Sequence, residues 1–85
     1  MRNSLPQAEL DMERLQAEIA ALSDRLRVSG RALEEREWSR LLSETAVADQ
    51  AYLLARRDHA TLVRRLHDLQ AELGRHILEL EAAQA

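Results

Sequence analysis

The sequence predicts an all-α fold in which long amphipathic helices form an antiparallel coiled coil or helical bundle, either as a long-helix dimer or as a helical hairpin. Three observations carry this expectation. Ala, Leu, Glu, Arg and Gln dominate the chain, and these are strong helix formers. Punctuation is sparse: two glycines, Gly30 and Gly74, and one proline, Pro6, in 85 residues. Apolar residues recur with a spacing of three and four, the heptad signature of a helix that packs on another helix.

A first helix is expected to begin at Ser4. Ser4-Leu5-Pro6-Gln7 has capping-box spacing, and a proline in the first turn is tolerated because the N–H groups there lack helical partners. From this point one heptad runs cleanly. Leu5, Met12, Ile19, Leu26 and Leu33 take position a, and Ala8, Leu15, Leu22 and Ser29 take position d. Continuing it would place Arg36 and Arg40 in the seam. A second register therefore starts at Trp38. Trp38, Thr45, Tyr52, His59, Leu66, Leu73 and Leu80 occupy a, while Leu41, Ala48, Ala55, Leu62, Leu69, His76 and Ala83 occupy d. The register thus breaks between Leu33 and Trp38, just after Ser29-Gly30, and a helix break, if there is one, falls near residues 29–38. Glycine can end a helix there, or the helix can continue and absorb the slip as a change of supercoil. With no Pro, Asn-Gly or glycine-rich loop after residue 6, continuity is the expectation.

Charge sets the orientation. A parallel zipper needs opposite charges at g and the following e, and the pairs here, such as Asp58/Val63 and Arg65/Gln70, supply none. Residues 8–24 hold Glu9, Asp11, Glu13, Glu18 and Asp24 against Arg14, whereas residues 56–67 hold Arg56, Arg57, Arg64 and Arg65 against Asp58. Laying the acidic stretch beside the basic one requires antiparallel helices centred near Ser39. That alignment places Leu15 near Leu62, Met12 near Leu66, Leu5 near Leu73 and Asp11 beside Arg65. Val63 and Ile77 at e widen the seam, which suits a bundle.

The same residues bound the function. One domain spans residues 1–85, too small for a generous core. With no cysteine, neither a disulfide nor a thiolate zinc site can brace it. The net charge of −3 lacks the basic excess of a nucleic-acid binder. There is no apolar run of bilayer length and no signal-peptide pattern, so the expectation is a cytoplasmic protein without a membrane span. All twelve basic residues are arginine, which hints at a GC-rich bacterial or phage genome.

Nothing in the chain assembles catalytic chemistry. The serines have no histidine at a useful helical spacing, and two glycines cannot build a phosphate loop. His59 and His76 are seam positions; they lack the converging ligands of a metal site and read as polar residues that set register, with a pH-sensitive interface as the functional alternative. No catalytic residue, cofactor, metal or small-molecule substrate is expected. The candidate interaction residues are the seam itself and a second surface formed by Leu53, Leu54, Arg56, Arg57, Arg64 and Arg65. Trp38 is either an anchor for a partner or a plug at the slip. The expected function is a non-enzymatic coiled-coil adaptor or scaffold that self-associates, with a dimer favoured, and docks on a larger assembly. The alternative is a helical helper, such as a chaperone or inhibitor, whose seam is completed by a different helical protein.

Overall fold

The computed structural model describes residues 4–84, with side chains from Gln7 onward. It is an all-α helical hairpin. Helix α1 (Ser4–Ser43) and helix α2 (Ala46–Gln84) pack side by side and antiparallel, joined by Glu44 and Thr45. The rod measures 62 × 15 × 15 Å, which matches a helix of 40 residues at about 1.5 Å per residue. No strand occurs among the described residues.

Helix α1 runs without interruption through 29–38, so the chain does not break where the register was expected to slip. Gly30 is an ordinary helical residue with negative φ, and a glycine at such a site costs only about 1 kcal/mol relative to alanine. The reversal comes instead at Glu44, which takes the left-handed conformation with φ 50°. Its N–H donates to the Arg40 carbonyl at 3.2 Å and closes the last turn of α1. Thr45 then caps α2: its Oγ1 accepts the Ala48 N–H at 3.1 Å, and its carbonyl accepts the Asp49 N–H at 3.0 Å. Thr45 is thus a capping residue rather than a member of the seam. At the other end the helix starts at Ser4, while the expected capping box and the Leu5 seam contact rest on side chains outside the described residues.

The core is thin. Leu15, Leu22 and Leu69 are buried, and Ile19, Leu26, Leu62, Leu66 and Leu73 pack against them half-exposed. Both heptad registers meet in this layer, the first from α1 and the second from α2. The seam is therefore closed within one chain.

Candidate interaction surface

The first register does not slip in α1; it continues to the turn. Arg40 faces α2, with its Nε 3.3 Å from Asp49 Oδ1 and its guanidinium 4.7 Å from the centre of the Tyr52 ring. Arg36 shares a groove with Ala51, Leu54, Ala55 and Asp58. Residues two apart on a helix point to nearly opposite sides, so an inward Arg36 and Arg40 turn Trp38 outward. Trp38 is 65% exposed and Leu41 59%. This corrects their expected place in the seam. Long arginine side chains are tolerated near the end of a seam because their charged heads reach water or an acidic partner.

In α2 the second register holds from Tyr52 onward. Tyr52, His59, Leu62, Leu66, Leu73, His76 and Leu80 are half-buried, and Leu69 is the most buried residue among those described. In α1, Met12, Leu26 and Leu33 are half-buried. His59 Nδ1 and Ser29 Oγ share a hydrogen bond of 3.1 Å across the seam. His76 Nδ1 lies 3.9 Å from Glu79 in its own helix.

One ion pair joins the acidic stretch of α1 to the basic stretch of α2, but the stretches overlap only at their ends, because His59 lies across from Ser29 and Gly30, beyond the acidic stretch. Arg65 pairs with Glu18 at 3.7 Å, not with Asp11. Asp11 instead takes Arg14 at 2.8 Å and Gln7 at 3.1 Å within α1. Leu15 and Leu22 both border Leu69, where Leu15 was expected beside Leu62. The cause is the turn: it lies at Glu44-Thr45 instead of Ser39.

The four arginines do not form one basic face. Arg65 leans toward Glu18, while Arg64 donates to Thr61 Oγ1 at 3.4 Å on the outer side of α2. Thr61 in turn donates to the Arg57 carbonyl at 3.1 Å. Arg56 and Arg57, adjacent in sequence, point about 100° apart. Leu53 and Leu54 are exposed, and of the two Leu54 borders the groove.

Two surface features stand out. Large exposed apolar side chains concentrate around the turn, where Trp38, Leu41, Leu42, Val47, Leu53 and Leu54 are all more than half exposed. A shallow groove also runs along one side of the hairpin between the helices. Toward the free ends it is polar, bordered by Asp11, Arg14, Glu18, Arg65, Glu72 and His76. Toward the turn it becomes apolar, with Val28 and Leu62 and then Ala32, Ala51, Leu54 and Ala55. Val28 is 64% exposed. Sequence reasoning singled out neither Val28 nor Val47, because both lie off the a and d positions of the two registers. Among the described residues no group of three or more His, Asp or Glu side chains is placed to hold a metal ion, and no helix is long and apolar enough to cross a membrane.

Comparison of the chain with protein-family models, with curated proteins and with solved structures gives no match.

Proposed function

We propose that this chain is a non-enzymatic protein–protein interaction module, a structural or adaptor hairpin that associates with a second copy of itself and docks on a larger assembly. The supporting observation is an imbalance of burial. Among the described residues three leucines are buried, whereas ten large apolar side chains are exposed and six of these surround the turn. Apolar surface gains about 25 cal/mol per Å² when it leaves water, and a chain of 85 residues has little other reserve of stability. Association is the direct way to cover it. The open, shallow character of the groove suits a helix better than a small molecule.

A second reading, a helper whose exposed face is completed by a different protein, rests on the same imbalance. Light scattering and far-ultraviolet circular dichroism on the isolated chain separate the two. The expected result is a strongly helical particle of about twice the 9.7 kDa chain mass. A weakly helical monomer that gains helix only with another protein would favour the helper. A helical monomer at every concentration would remove self-association.

A further inference from the structure

The register of the hairpin lays basic on basic. His59 lies across from Ser29 and Gly30, so residues 25–33 of α1 run beside residues 56–65 of α2. The first stretch holds Arg25, Arg27 and Arg31 and no acidic residue. The second holds Arg56, Arg57, Arg64 and Arg65 against Asp58. Together they form a belt of net charge +6 around the middle of the rod, about 14 Å long at 1.5 Å per residue. We infer that this belt binds the acidic end of a second copy, so that two hairpins lie antiparallel with each belt against the other's free-end half. The inference rests on the self-association proposed above and adds the orientation of the pair and the charges that set it.

The charge profile along the rod selects the occupant. Between the belt and the free ends, residues 8–24 and 66–84 carry nine carboxylates against Arg14 and Arg75. Between the belt and the turn, residues 34–55 carry five against Arg36 and Arg40. All seven arginines of the belt are exposed. Among the described residues two of them reach a carboxylate, Arg27 with Asp24 at 3.2 Å and Arg65 with Glu18 at 3.7 Å. The other five stand together, and their mutual repulsion opposes the packing of α1 on α2. A polyanion laid along the rod would meet an acidic zone on either side of the belt. A second copy answers both signs, because its acidic end fits the belt and its belt fits the acidic end.

Rods paired parallel and in register would set belt on belt. An antiparallel two-fold pair sets belt on acid. With the axis at the level shared by Leu22 and Leu66, residues 25–33 of one copy stand level with residues 11–19 of the other, where Asp11, Glu13 and Glu18 lie. The two copies then overlap over about 54 Å at 1.5 Å per residue, in a rod 62 Å long. Arg31 comes level with Glu13 of the other copy, and these two positions share one side of α1, since 18 residues make about five turns. Arg64 comes level with Asp68, and these share one side of α2, one turn apart. Both outer sides of the rod thus carry matched charges. Each exposed ion pair adds little, so the charges choose the orientation while apolar burial supplies the affinity.

The test uses sedimentation equilibrium on the full chain, with helix content read in parallel so that loss of interface is distinguished from loss of fold. Raising salt from about 0.05 to 0.5 M should weaken the wild-type dimer about tenfold. One variant carries Arg31→Glu and Arg64→Glu in the belt; a second carries Glu13→Arg and Asp68→Arg in the acidic end. All four positions are exposed. Each variant alone should dimerise about tenfold or more weakly than wild type, and an equimolar mixture should recover most of that loss, because in the mixed pair every reversed charge meets its opposite. A belt variant that dimerises more tightly would show parallel hairpins and overturn the inference. If the wild-type dimer forms and neither variant changes it, the charge zones do not orient the pair, while self-association stands. A mixture no tighter than its components would also overturn the pairing, and mass growing beyond two copies would replace the closed pair by staggered parallel rods. A wild-type chain that stays monomeric would remove both this geometry and the self-association beneath it; salt-sensitive binding of a short double-stranded RNA by that monomer would assign the belt to a polyanion instead.

Discussion

Replacing Leu69 with alanine is expected to cost about 2–5 kcal/mol, the range for removing a large side chain from a packed core. Leu69 is 2% exposed and is the point where Leu15 and Leu22 of α1 meet α2. At about 0.05–0.15 kcal/mol per residue, an 85-residue chain has on the order of 4–13 kcal/mol of total stability. One substitution thus takes a large share. Leu78, 66% exposed on the same helix, is the control, and Leu78→Ala should change stability by less than about 0.5 kcal/mol. Urea unfolding followed by circular dichroism compares the two. Equal midpoints would mean that the leucine layer is not what holds the helices together.

The second large effect concerns register. A chain carrying Glu18→Cys and Arg65→Cys should be bridged within itself by a short bifunctional thiol reagent, because these side chains reach each other across the hairpin at 3.7 Å. The bridged product should keep the mass of one chain and move faster on a denaturing gel. Moving one site by a heptad along α1, as Asp11→Cys with Arg65→Cys, lengthens the axial gap by about 10 Å and should lower the yield sharply. A higher yield for the Asp11 pair would restore the alignment centred on Ser39. Bridges only between chains would replace the hairpin by a dimer of extended helices.

The residues explain which parts of this architecture were legible in the sequence. Helix content, antiparallel sense and the α2 seam from Tyr52 to Leu80 follow from composition, charge asymmetry and leucine spacing, and the hairpin contains all three. The turn was not legible because it uses no glycine or proline. Glu44 adopts the left-handed conformation, which disfavours a side chain by about 1–2 kcal/mol, and its compensation is the capped start of α2 at Thr45. The Thr45 capping signal is present in the sequence, but the heptad count assigns that residue to the seam. The alignment error has a related cause. Sliding one helix by seven residues brings seam onto seam again, so leucine spacing cannot separate neighbouring registers. Only the position of the turn does. The apparent slip at Trp38 came from assigning each apolar residue to the interior; in the structure Arg36 and Arg40 hold that side of α1, leaving Trp38 and Leu41 to face outward. The heptad count consequently places Trp38 and Leu41, part of the apolar surface around the turn, in the seam.

The position of the leucine layer also governs how this chain can fold. A helical hairpin with its best contacts beside the turn can zip from the turn outward, closing short loops first. Here the stretch next to the turn offers Arg36, Arg40, Ala48 and Ala55, and the buried layer joins Leu22 to Leu69, 47 positions apart. Closing a loop of that length instead of one of about seven residues costs roughly 1.7 kcal/mol more in chain entropy. The rate-limiting encounter is therefore expected between two nearly complete helices meeting far from their connection. In a stopped-flow chevron, Leu22→Ala should slow folding while Tyr52→Ala should mainly speed unfolding; the opposite pattern would show that closure begins at the turn. An open pair of helices, with its leucines unpaired until that late encounter, is also the state in which two chains can exchange arms and trade an intramolecular seam for an intermolecular one.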